Sequence, residues 1–207
     1  MELKRGYFIT FEGADGCGKT TQIKLVKNML DEKNIANILT LEPGDTDLGK
    51  SLREILLHYD KPVASSAEMF LYLADRAQHV KSVIDVALKE KKIVLCDRYT
   101  DSTVAYQGYA RGEDIEQINC LNKIATDNLE PDLTIVFDVD SKIAQQRVGE
   151  EKDRLESEGL EFHKKVRNGY LELAKKYPQR IKVIDANQSI EEVFTNTKKI
   201  IGELLNL

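Results

Sequence analysis

Residues 13–20 read Gly-Ala-Asp-Gly-Cys-Gly-Lys-Thr, with Gly13, Gly18, Lys19 and Thr20 in the spacing G-x-x-x-x-G-K-T. The residues before them, Tyr7-Phe8-Ile9-Thr10-Phe11, form a β-rich apolar run. After them Ile23, Val26 and Leu30 recur at helical spacing to about Lys33. A glycine-rich turn between a strand and a helix is the setting of a phosphate-binding P-loop. Its glycines permit a tight turn that points successive N–H groups inward, and the following helix adds its N-terminal partial positive charge. Lys19 can then reach β- and γ-phosphates, and Thr20 can hold Mg²⁺. The expected ATP-binding set is Gly13, Ala14, Asp15, Gly16, Cys17, Gly18, Lys19, Thr20 and Thr21. A glycine-rich turn that binds nothing would not require the strand and helix around it.

The rest of the chain repeats this alternation. Strands are expected at Ile35 to Leu41, Ile93 to Cys96, Leu133–Phe137 and Ile181 to Ile184. Helices are expected at 47–59, 66–91, onward to about Asn128, at 141–148 and at 160–176. Ser189, with Glu192 three residues on, reads as a capping box that opens a last helix to about Leu205. Alternating strands and helices imply an α/β fold with a parallel sheet and helices on both faces. No repeat, low-complexity tract or linker divides the 207 residues, so one domain, 1–207, is expected.

Composition narrows the function classes. With 42% hydrophobic and 31% charged residues the chain reads as a soluble globular protein. A net charge of -5 argues against a broad nucleic-acid-binding face. No apolar run is long enough to span a bilayer, and no apolar h-region follows the N-terminus. Cys17, Cys96 and Cys120 are far apart and odd in number, which suits a reducing cytoplasm better than a disulfide framework. His58, His79 and His163 lack partner patterns for metal or base and read as structural or surface residues.

Two more places bear on chemistry. Asp97 ends a buried apolar strand, where a P-loop protein sets its Mg²⁺-organising acid; capping the next helix is the competing reading. Asp138 ends another apolar strand and competes for the same role. Arg98, directly after Asp97, suits an anion site, as do Arg53 and Arg76 on predicted helices. Switch-GTPase and protein-kinase signatures are missing: Asn122-Lys123-Ile124-Ala125 begins like a guanine motif but lacks its aspartate. Arginines with no obvious base suit an acceptor that is already anionic, such as a nucleoside monophosphate.

Five stretches carry a closer likeness. They are Glu12 to Thr21, Glu42-Pro43-Gly44, Asp97-Arg98-Tyr99-Thr100-Asp101-Ser102, Ala105-Tyr106-Gln107-Gly108 and Pro131-Asp132-Leu133-Thr134. On these the chain resembles the bacterial type of the thymidylate (dTMP) kinase family, over essentially its whole length. The resemblance implies a P-loop kinase fold with a five-stranded parallel sheet, usually in a homodimer. It implies the reaction ATP + dTMP → ADP + dTDP with Mg²⁺, in the dTTP synthesis pathway.

By the same resemblance, Asp15 binds the sugar 3′-hydroxyl, Tyr72 stacks on the base and Arg76 holds the thymine edge. Thr103 and Gln107 lie beside base and sugar. Arg53 and Arg98 contact the acceptor phosphate, and Asp97 organises Mg²⁺ and water. Tyr106 fills the space of a ribose 2′-hydroxyl. A lid at about 147–159 covers ATP, with Arg147 and Arg154 replacing the arginine that the P-loop lacks. For Tyr72 core packing is the competing reading, and for the lid a solvated salt-bridged loop. Two positions depart from the family pattern: Leu41 stands where an arginine is common, and Asp45 where a second glycine is. Other P-loop kinases of small acceptors and a non-catalytic nucleotide-binding protein are the rival readings.

Overall fold

The computed structural model describes residues 3–147 and 153–207. Five parallel strands make one sheet: β1 (Tyr7–Glu12), β2 (Asn37–Leu41), β3 (Ile93–Asp97), β4 (Leu133–Asp138) and β5 (Ile181–Asp185). Their spatial order is β2-β3-β1-β4-β5. The three central strands are buried almost throughout, whereas β2 and β5 at the edges are only partly so. That is why the central runs are continuously apolar and the edge runs mix in polar residues.

Alternation along each strand separates two layers. Ile9 and Phe11 of β1, Leu95 of β3 and Ile135 and Phe137 of β4 meet α1 (Lys19–Glu32) and α9 (Ile190–Leu205) through Ile23, Val26, Leu30, Val193 and Ile201. On the other face Phe8, Val94 and Cys96 pack against Val80, Ile84 and Ala87. Val136 joins Val104, Val166 and Tyr170 there. Each fully buried isoleucine or phenylalanine contributes about 1.5–3 kcal/mol through lost apolar exposure. Glu12 alternates to this second face and is fully buried.

The remaining helices are α2 (Asp47–His58), α3 (Ser65–His79), α4 (Asp85–Lys89), α5 (Thr100–Thr103), α6 (Ile115–Thr126), α7 (Ser141–Arg147) and α8 (Leu160–Lys176). The single helix expected over 66–91 contains a π-helical turn, Val80–Ile84, between α3 and α4. A second π-helical stretch, Val104–Ala110, continues α5. The expected capping box of α9 is present: Glu192 N donates to Ser189 Oγ at 3.3 Å, and Ser189 N donates to Glu192 Oε2 at 3.0 Å. No helix among the described residues is long and apolar enough to cross a membrane.

Parallel register brings the strand ends together. Asp97 is the register partner of both Phe11 and Leu41. The loops after β1, β2 and β3 therefore open at one sheet edge, where open α/β folds form their crevices.

Candidate active site

The phosphate loop takes its shape from left-handed glycines: φ is 140° at Gly13, 77° at Gly16 and 90° at Gly18. A side chain at Gly16 would also lie 2.2 Å from the Ala144 carbonyl of α7. Lys19 is buried, and its Nζ reaches back to the Gly13 carbonyl at 3.3 Å. Thr20 is exposed in the first turn of α1.

The two candidate acids separate cleanly. Asp138 is claimed by Arg167, whose Nε and Nη2 donate to its two oxygens at 2.5 and 2.9 Å. Asp97 keeps a buried Oδ1 with no hydrogen-bond partner among the described residues. An orphaned carboxylate oxygen is costly unless a ligand or cation meets it. A hard cation drawing on oxygen donors fits Asp97 and not Asp138.

One cavity beside the loop is lined by Asp15, Arg53, Tyr72, Arg76, Arg98, Thr103, Tyr106 and Gln107. These are all eight residues that the sequence points to for the acceptor. They come from the phosphate loop, α2, α3, the loop after β3, α5 and the π-helical stretch. Glu42, Ser102 and Asp153 line the same cavity without having been anticipated.

At one end lies Arg76, 1% exposed. Its Nε donates to Glu42 Oε2 at 2.8 Å, its Nη1 to Thr103 Oγ1 and Asn122 Oδ1 at 2.7 Å each, and its Nη2 to the Tyr99 carbonyl at 2.9 Å. Four of its five N–H groups are thus committed, which leaves one on Nη2. Glu42 is itself held by His79 Nδ1 at 2.9 Å, and His79 Nε2 lies 2.5 Å from Thr40 Oγ1. His79 is therefore a buried structural residue, as expected. Tyr72 packs on the core cluster of Met69 and Leu73 and also lines the cavity.

At the other end Arg98 adopts a left-handed φ of 70°. Its Nη2 donates to Asp15 Oδ1, and its Nη1 to Gly13 O at 3.2 Å. Asp15 Oδ2 accepts from the Tyr106 hydroxyl at 3.0 Å. Burial alone would raise the Asp15 pKa, but Arg98 and Lys19 outweigh it and hold the carboxyl down at about 2. Glu12 lies behind this end and shows the opposite balance. Burial and the nearby Asp101 push its carboxyl up to about 7, against hydrogen bonds from Ser102 and Tyr99 N.

The expected lid lies partly outside the described residues, which omit 148–152. Arg147 is exposed at the end of α7 and donates to the Ala186 carbonyl at 3.3 Å. Arg154 turns to the acceptor side: Nη2 is 2.6 Å from Glu68 Oε2, and Nε donates to Leu56 O at 3.0 Å. Among the described residues, neither arginine hydrogen-bonds to the phosphate loop. At the departures from the family pattern, Leu41 is exposed, and Asp45 accepts from Thr40 Oγ1 while Arg53 donates to Pro43 O at 2.6 Å. Arg53 is thus fixed to the same loop by a backbone contact.

Glu12, Ser102, Asn122 and Tyr170 escaped the sequence reading. Glu12 lies one residue before the glycine string, and its burial on a strand end is the signal that could have exposed it. Tyr170 shares a helical stripe with Val166 and Leu173, and nothing in that spacing distinguishes it from core.

Comparison with known proteins meets this geometry. The thymidylate kinase family model matches residues 11–197. A thymidylate kinase from Carboxydothermus hydrogenoformans is 50% identical over 202 residues, covering 97% of this chain and 98% of that one. One from Clostridium novyi is 44% identical, covering 95% and 98%. The crystal structure of thymidylate kinase from Ehrlichia chaffeensis aligns with a TM-score of 0.77 at 37% identity, covering 95% of this chain and 99% of that one. With a matching fold, near-complete coverage and a cavity set against the phosphate loop, this chain belongs to the thymidylate kinase family.

Proposed function

We propose that the chain transfers the γ-phosphoryl group of ATP to dTMP, giving ADP and dTDP, between the phosphate loop and the neighbouring cavity. The observation that carries this is the convergence of eight residues from separate parts of the chain on one cavity. Its phosphate end is cationic and touches the loop, and its far end is aromatic and polar.

On this reading Lys19 holds the β- and γ-phosphates of ATP, and Arg98 and Arg53 hold the acceptor phosphate. A phosphate monoester has a second pKa of about 6, so it is already anionic and needs positioning and charge more than a base. Asp15, kept ionised, retains lone pairs for the sugar 3′-hydroxyl beside its two present partners. Tyr72 offers the base a stacking face, while Thr103, Gln107 and the last N–H of Arg76 discriminate its edge. The Tyr106 ring occupies the space of a 2′-hydroxyl. Thr20 and Asp97 would hold Mg²⁺, which neutralises charge on the transferring phosphates when bound. Arg147 is the cation at hand for a lid over ATP, and Arg154 could serve there only by leaving Glu68. Leu48 and Ile55 on α2 and Phe70 on α3 stand exposed, which favours a homodimer that covers them. Three free cysteines suit the cytoplasm.

The test is an acceptor panel of dTMP, dUMP, UMP and thymidine with ATP and Mg²⁺. Preference for dTMP is expected. Equal use of dUMP or UMP would defeat the acceptor assignment, and absence of any dTDP would favour a non-catalytic nucleotide-binding protein.

A further inference from the structure

The Tyr170 hydroxyl lies where four parts of the chain meet. It is carried by α8, the helix that follows the expected lid, and it is 1% exposed. It sits 2.9 Å from Glu12 Oε2 at the end of β1, 2.8 Å from Ser102 Oγ on α5 and 3.3 Å from Arg98 Nη1 in the loop after β3. A phenol has one proton and two lone pairs. With its proton on the Glu12 carboxylate, its lone pairs face Ser102 and Arg98. Ser102 Oγ is itself 2.6 Å from Glu12 Oε2 and 3.3 Å from Arg98 Nη1. The Arg98 guanidinium also lies 5.2 Å from the centre of the Tyr106 ring. Arg98 is thus cornered between Asp15 on one side and neutral oxygens on the other, on a backbone that a side-chain-bearing residue rarely adopts. The neutral side decides where its free donors point. Nε and the second Nη2 proton make no hydrogen bond among the described residues.

We infer that Tyr170, braced by Glu12 and Ser102, is a positioning residue that aims the Arg98 guanidinium at the acceptor phosphate. The inference rests on the reading that Arg98 meets that phosphate. Tyr170 does not itself line the cavity; it reaches it through Arg98 and Ser102, which do. Loss of the hydroxyl leaves Arg98 with Gly13 O and Ser102 Oγ and lets the guanidinium swing toward Asp15.

Tyr170→Phe keeps the ring and its packing, so the folded state is retained. Binding of dTMP and of thymidine, the same ligand without its phosphate, is measured for the wild-type chain, Tyr170→Phe and Arg98→Gln by competition in the ATP-dependent assay. For Tyr170→Phe we expect dTMP affinity to fall about tenfold with thymidine affinity unchanged, the effect of one misaligned hydrogen bond to a charged group. A merely structural tyrosine would weaken both ligands alike or neither, and either result overturns the inference. If Arg98→Gln lowers the dTMP-to-thymidine ratio and Tyr170→Phe does not, the inference falls and the reading of Arg98 stands. If Arg98→Gln leaves the ratio unchanged, both fall. A double variant no worse than Arg98→Gln alone is the further expected result, and full additivity would separate the two residues.

Discussion

Arg76 and Arg98 close the two ends of one cavity, and they are held in opposite ways. Arg76 is locked by a buried carboxylate, a hydroxyl, an amide and a carbonyl, all within 2.9 Å. Arg98 has one ionic partner, Asp15, and otherwise shares longer contacts of 3.2–3.3 Å with neutral oxygens. The Arg76 end is therefore built as part of the core, with little left to adjust. The Arg98 end is a charge held by one ion pair and longer neutral contacts, partners that an arriving anion could exchange. A substitution at the first end should register in stability, and one at the second in turnover.

The largest expected effect tests the first half of that contrast. Arg76→Met leaves Glu42 buried without its main cation and should cost about 4 kcal/mol of stability, the usual penalty for halving a buried ion pair. Urea denaturation measures it, and a loss below about 1 kcal/mol would mean that Arg76 is no structural anchor. Next comes pH. Folded Glu12 titrates at about 7, against 4.5 for an unperturbed glutamate. Between these values the folded chain holds a proton that the unfolded chain has released. Stability should therefore fall as pH rises from about 4.5 to 7, by about 3 kcal/mol in all. Asp75, raised to about 6 chiefly by burial and then by Glu42, adds a loss of the same sign. Denaturation midpoints from pH 5 to 8 should show the slope, and Glu12→Gln should flatten it.

Third, Arg98→Gln should lower kcat/KM for dTMP by roughly a hundredfold with only a small change in Tm, the scale of losing one preorganised donor to developing charge. A large fall in Tm with intact turnover would reverse the contrast. The smallest effect concerns selectivity. Tyr106→Ala should narrow the preference for deoxy over ribo acceptors by roughly tenfold, the scale on which a shaped pocket excludes a small group. Comparing dUMP with UMP reads it directly, and an unchanged ratio would free Tyr106 from a steric role.

Much of this was legible along the chain. Strand runs, the glycine string and the Ser189–Glu192 cap are local patterns, and local patterns set the elements to within a residue or two. Asp15, Arg98, Thr103, Tyr106 and Gln107 lie in or beside short blocks that follow strands β1 and β3. Arg53, Tyr72 and Arg76 lie on α2 and α3 instead: the two arginines stand out as cations on predicted helices, whereas Tyr72 came only with the family resemblance. What stayed hidden depends on distant partners. Asn122 lies in a stretch that reads as an incomplete guanine motif, yet its amide oxygen braces Arg76 from 46 residues away. Tyr170 looks like one more core position, because helical spacing reports burial and not what a hydroxyl touches. Arg154 reads as a solvated or ATP-facing cation, but Glu68 is 1% exposed and draws it to the acceptor side. A buried glutamate on an amphipathic helix cannot be distinguished by composition from a surface one.

The π-helical stretch Val104–Ala110 has a genetic consequence. Thr103, Tyr106 and Gln107, at i, i+3 and i+4, line one cavity across the join between α5 and this stretch. A residue lost between Thr103 and Tyr106 would turn Tyr106 and Gln107 by about 100° relative to Thr103. A single-codon deletion there would thus split this part of the cavity lining at one stroke.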